Sequence, residues 1–193
     1  MKKSTFMKNQ SKKITFFALL MATLSSMSCS DNNASPVNEE EVISTVTVRL
    51  TGGGQVVTLT SKDLDGDGPN APVVTVSGNL AANTSYTGTV EFLNETVNPA
   101  VNLTSEIQVE GVDHQIFYQP TSGLGAFTYT DTDANGKPIG LTFNLLTSNA
   151  TSGMLNVTLR HLPLKSAAGV SSGDITNAGG STDAQVQYPI VVN

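Results

Sequence analysis

The residues with the most evident capacity for chemistry are carboxylates. Asp63-Leu-Asp65-Gly-Asp67-Gly68 places aspartates at alternate positions ahead of a glycine. Three hard oxygen donors can then converge on one ion while Gly allows a sharp turn, as in the first half of a calcium loop. A looser copy follows at Asp131-Thr-Asp133-Ala-Asn135-Gly136. Neither is completed as an EF-hand: the twelfth positions are Val74 and Thr142, where a bidentate Glu is expected. An ion would need a further ligand, such as Asp174 or Asp183. Asp, Asn and Gly also build ordinary turns, and that reading stands beside calcium at both loops.

The chain has two histidines, in Asp113-His114-Gln-Ile-Phe-Tyr118 and Arg160-His161-Leu-Pro163. Each sits at the end of an expected strand. If the two ends meet in space, His114 and His161 with Asp113 make a transition-metal set of two imidazoles and a carboxylate. Hydrogen-bonded structural histidines are the alternative. A third candidate is the long polar segment from Lys165 through Asp174 to Asp183, rich in Gly and Ser. A loop of this length is either functional, as a ligand loop, or simply mobile.

Catalytic signatures are missing. There is no Gly-x-Ser-x-Gly elbow, no His-Glu-x-x-His pair and no phosphate-binding loop. The expectation is a protein that binds rather than transforms.

These residues must be positioned by strands. From residue 42 onward the chain is dense in Thr, Val and Gly, with apolar residues at period two. Strands are expected at 42–51, 55–61, 73–77, 86–93, 114–119, 126–130, 141–146, 154–160 and 184–192. Gly52-Gly-Gly54 and Ser152-Gly153 read as hairpin signals, and one short helical turn is expected around 100–108. Leu80-Ala-Ala-Asn-Thr84-Ser-Tyr86 resembles the tyrosine corner of immunoglobulin-like and fibronectin-type domains, which makes Tyr86 structural. The fold class expected is all-β: one immunoglobulin/fibronectin-like antiparallel sandwich of about seven to nine strands over 42–193, preferred to a barrel.

The first 28 residues read as a targeting segment. Lys2, Lys3, Lys8, Lys12 and Lys13 precede an apolar run from Ile14 to Leu24, and small residues lead into Cys29. That run has 11 residues, against roughly 20 for a spanning helix. The arrangement resembles a bacterial lipobox, although Ser26 stands where Leu is usual. It implies that Cys29 is acylated, palmitate included, and anchors the chain to a lipid bilayer. The alternative is ordinary cleavage that leaves Cys29 as a lone thiol. Residues 29–41 are polar and acidic and read as a solvated tether.

Removing the leader takes five of the ten basic residues and none of the 16 acidic ones. The remaining 165 residues carry a formal charge near −11. That charge opposes phosphate backbones and excludes nucleic acid as a partner. With no Trp, 4 Tyr and 7 Phe, stacking platforms for sugars are scarce.

The stretches DLDGDGPNAPVV, LAANTSYTG, HQIFY and VTLRHLPLKSAAGVSSGDITNAGGSTDAQV resemble short lipoproteins of Bacteroidota that carry the label "type 1 periplasmic binding fold superfamily protein". The resemblance covers nearly all of the chain after the leader. It implies export and a place beside an outer-membrane receptor. The label would also imply two α/β lobes and roughly 250 residues, which the all-β pattern contradicts.

The functional expectation is a non-enzymatic outer-membrane lipoprotein, facing the periplasm or the cell surface. It would bind a cation such as Ca2+ or a small ligand at the acidic loops, or alternatively act as an adhesive module making protein–protein contacts.

Overall fold

The computed structural model describes residues 42–66, 68–121 and 123–193. Cys29, the leader and tether, and Asp67 lie outside the described residues. Period-two patterning sets the strands. Along Ser85–Asn94, Tyr86, Gly88, Val90 and Phe92 turn inward while their neighbours face out. Along Thr142–Thr147, Phe143, Leu145 and Thr147 do the same.

Ten strands result: β1 (Thr45–Gly52), β2 (Gln55–Lys62), β3 (Val73–Val76), β4 (Ser85–Asn94), β5 (Val101–Asn102), β6 (His114–Pro120), β7 (Gly125–Tyr129), β8 (Thr142–Thr147), β9 (Thr151–His161) and β10 (Ser181–Val192). One helix, α1 (Thr104–Val109), and two 3-10 turns at Val170–Ser172 and Ile175–Asn177 complete the described elements. The strands form two antiparallel sheets, and neither closes into a barrel. The larger runs β3-β2-β1-β4-β8-β7, with β5 paired to β4, and the smaller runs β10-β9-β6.

One hydrophobic core joins the sheets. Val48, Leu50, Phe92 and Phe143 from the larger sheet share it with Ile116, Leu155, Leu159 and Tyr188 from the smaller. Fully burying each such side chain is worth about 1.5–3 kcal/mol. The Tyr86 hydroxyl accepts hydrogen bonds from Ala81 N and Gln55 Nε2, both at 2.8 Å, so the corner motif ties its own upstream backbone.

Two expectations need correction. Ser152-Gly153 is not a hairpin turn but lies inside β9. Gly153 is there because Thr121 packs against it: a Cβ would lie 2.1 Å from Thr121 Oγ1. Nor is the segment from 165 to 183 structureless. It crosses the outer face of the smaller sheet as a strap, and Val170 and Ala178 form a second small core with Phe117. That cover explains why His114 to Tyr118 are buried without alternation.

Strand register gathers the acidic segments at one end of the molecule. Thr45 pairs with both Lys62 and Leu93, so β1 begins where β2 and β4 finish. In the smaller sheet His114 pairs with His161, and His161 with Ser181. Asp63 and Asp183 line a common groove between the two sheets. Asp133 pairs with Lys165 of the strap. The loop segments 63–66 and 131–136 and the strap therefore share an end.

Candidate functional site

Each strand of the smaller sheet contributes one side chain to a single cluster. His114 opens β6 and His161 closes β9, and their Cα atoms are cross-strand partners. Directly opposed residues project to the same face, and the rings stack with centroids 4.9 Å apart and an interplanar angle of 9°. The third member comes from an irregularity in β10. Thr182 pairs with Arg160 and Ala184 with Leu159, leaving Asp183 as the extra residue of a bulge. A bulge re-aims its side chain. Here the Asp183 carboxylate comes within 3.7 Å of His114 Nε2. One ligand-capable atom from each of the three lies within 4.8 Å of the others.

The cluster is sheltered: the His114 and Asp183 side chains are 5 % and 16 % exposed. His114 is also held from behind, with Nδ1 3.1 Å from the Glu110 carbonyl oxygen. Since a carbonyl can only accept, Nδ1 carries the proton and Nε2 is presented towards Asp183. Protein-family models, curated proteins and solved structures were compared with the chain, and none matches it.

Asp113, expected as the carboxylate of this set, is replaced by Asp183. Asp113 lies in the turn before β6, where its carbonyl accepts a hydrogen bond from Leu162 N at 2.6 Å. Adjacency in sequence to His114 does not bring its carboxylate into the cluster, because Asp113 belongs to the turn and not to the strand register that opposes His114 and His161. The bulge that delivers Asp183 leaves no mark in the sequence beyond the Gly179-Gly180 pair preceding it.

In the first acidic loop, Asp63 Oδ1 accepts from Gly66 N at 2.9 Å and Asp65 N at 3.3 Å. Asp65 Oδ2 accepts from Asn70 Nδ2 at 2.6 Å, and this bond holds the Asp65 carboxyl below its ordinary value. These two carboxylates brace the turn. Asp63 also borders the groove of about 370 Å³ whose opposite wall carries Asp183.

The second loop is occupied by its own protein. Asp131 accepts from Gly140 N at 2.8 Å and Thr142 N at 3.0 Å. Asp133 Oδ1 accepts from Asn135 N and Lys137 N, at 2.8 and 2.9 Å. Its Oδ2 meets Lys165 Nζ at 2.8 Å. Lys165 Nζ also donates to Gly111 O at 2.5 Å and Pro138 O at 2.9 Å, which uses all three ammonium donors. The expected cation ligands Asp131 and Asp133 therefore hold backbone and a lysine, while Asn135 serves through its backbone N–H. Lys165 is likewise a buried tie, not a ligand-facing cation. Burial lowers its pKa against the opposing pull of Asp133.

Asp174, also expected as a ligand group, caps the 3-10 turn that follows it, accepting from Thr176 N at 2.9 Å. That bond holds its carboxyl below the usual range. Of the expected strap ligands, only Asp183 joins the histidines.

Proposed function

We propose that the chain is a membrane-anchored envelope lipoprotein that binds a cation or small ligand without transforming it. In this reading the acylated Cys29 supplies the anchor, and the loop end of an immunoglobulin-like sandwich supplies the binding surface. Strand order supports the fold half. β7-β8-β4-β1 over β6-β9-β10 follows the D-E-B-A over C-F-G connectivity of a constant-type immunoglobulin sandwich, with β2 and β3 as an added hairpin. The strap then corresponds to the loop between the last two strands, one of those that carry recognition in such domains.

The observation that carries the binding half is the meeting of His114, His161 and Asp183 within 4.8 Å, beside a groove bordered by Asp63. The test is metal content and thermal midpoint of the purified protein, with and without chelator. Bound metal and a midpoint that falls on chelation are expected. No metal and no shift would end the cation reading. Export and anchoring are tested by palmitate labelling in a bacterial host, expected to disappear in Cys29→Ser.

An adhesive module is the second reading. It is favoured by Val109, Leu162 and Leu164, which are 86 %, 60 % and 63 % exposed. Recovery of an envelope protein by cross-linking at Leu164, with the metal measurements negative, would favour it. Among the described residues no helix is long and apolar enough to cross a membrane.

A further inference from the structure

We infer that His114, His161 and Asp183 form a transition-metal site for a zinc-class divalent ion, not a calcium site. This deepens the binding reading above by naming the class of cation and its ligands.

The donor set decides the class. Calcium takes six to eight oxygen ligands. Two imidazoles and one carboxylate suit zinc, nickel or copper(II) instead. Three protein ligands with a remaining position for water or a captured donor are also the composition of an open zinc site.

Spacing agrees with the donor chemistry. At 3.7 Å, His114 Nε2 and Asp183 Oδ2 are too far apart for a hydrogen bond. With bonds of about 2.0–2.1 Å, two ligands of one tetrahedral zinc lie about 3.3 Å apart. The pair thus stands slightly wider than two ligands of one ion. The three donor atoms lie within 4.8 Å of one another, and closing them on one ion requires the nearly parallel imidazoles to turn until both ring planes pass through it.

Tautomer and support agree as well. With Nδ1–H given to the Glu110 carbonyl, Nε2 is the ring nitrogen that faces the Asp183 carboxylate and the one placed to serve as a ligand. A backbone carbonyl behind the imidazole is also the usual outer partner of a metal-bound histidine. The scaffold is rigid: the ligands stand on three hydrogen-bonded strands, two of them in direct register. A proton on Nε2 is the competing occupant, and the experiment separates the two.

The full chain carrying Cys29→Ser, which removes the only thiol, is titrated with Zn2+ by calorimetry and with Co2+ by visible absorption. One equivalent is expected, with the intense d–d bands of a tetrahedral cobalt site. His114→Ala is expected to weaken Zn2+ binding by at least about 100-fold and Asp183→Asn by about tenfold or more. Asp113→Asn should leave it unchanged. Circular dichroism reports whether each variant folds. Should His114→Ala fail to fold, an anomalous-scattering peak between the three side chains in wild-type crystals supports the site, and a peak elsewhere overturns it.

One equivalent of Zn2+ that survives in folded His114→Ala and Asp183→Asn would overturn this site while leaving cation binding intact. Calcium binding without zinc binding would do the same. Binding of neither metal by the wild type would overturn both this site and the cation reading.

Discussion

Lys165 Nζ lies 2.8 Å from Asp133 Oδ2, with the two side chains 6 % and 1 % exposed. A residue of the strap thereby plugs the loop whose Asp-x-Asp-x-Asn-Gly spacing reads as a cation site. Where a divalent ion would neutralise the carboxylates, an ammonium does so from within the chain. The same nitrogen reaches Gly111 O and Pro138 O, so one lysine joins three segments: the strap, the turn before β6 and the β7–β8 loop.

Replacing Lys165 with Met should therefore be costly. The change keeps much of the aliphatic stem but leaves Asp133 buried without its charge partner and takes the ammonium donor from two carbonyls. Removing one member of a buried pair costs about 3–5 kcal/mol. Urea unfolding should show a loss in this range. A loss under about 1 kcal/mol would mean that the pair is solvated in solution.

Acid should narrow that difference. Burial raises the Asp133 carboxyl, but Lys165 and the Lys137 and Asn135 N–H groups outweigh it, so its folded pKa lies below its ordinary value. The unfolded chain therefore takes up the proton first as pH falls. The stabilisation is complete above about pH 4, the unfolded carboxyl range, and is lost as pH falls through the depressed folded value. In Lys165→Met no ammonium holds the proton off. The gap between wild-type and variant midpoints should shrink from pH 6 to pH 3, and a constant gap would contradict the assignment.

Most of the fold was legible because burial in this protein follows strand periodicity. β4 and β8 alternate strictly, and their limits fall within about two residues of those read from the apolar pattern. Tyr86 was legible as structural from its corner motif alone. The site was legible only in part. His114 and His161 could be named as partners but not placed in register, because sequence carries no strand pairing. Asp183 was named with the strap ligands, not with the histidines, since a bulge is a property of two strands together. Lys165 misled for another reason: it opens a Gly- and Ser-rich segment that reads as an exposed loop, and only the folded strap buries it.

Gly88 tests how tightly the larger sheet is packed. It pairs with Phe143 of β8, whose ring covers it, and a Cβ at Gly88 would lie 2.1 Å from Phe143 Cζ. Phe143 is fully buried, so its ring cannot swing aside into solvent. Gly88→Ala should destabilise by about 1–3 kcal/mol through overpacking. Pairing it with Phe143→Leu should recover part of the loss in a double-mutant cycle. Strict additivity would show that the clash is relieved elsewhere.

Arg160 links scaffold and site through the backbone that leads into β10. Its Nη2 donates to Gly179 O at 2.5 Å and Gly180 O at 2.8 Å, and Nη1 to Thr182 Oγ1 at 2.5 Å. Gly179 and Gly180 sit at φ of 58° and 69°, where glycine is favoured. A Cβ at Gly180 would lie 2.0 Å from the His161 carbonyl oxygen. The fork thus fixes the tight entry to β10 just ahead of the bulge that aims Asp183. Arg160→Ala should speed amide exchange across 162–182 while lowering global stability by only about 1 kcal/mol. Zinc affinity should fall with it, as Asp183 loses its fixed aim. Arg160→Lys, which lacks the planar fork, should fall between the two. Unchanged exchange in the strap would show that the bulge is held by β9 pairing alone.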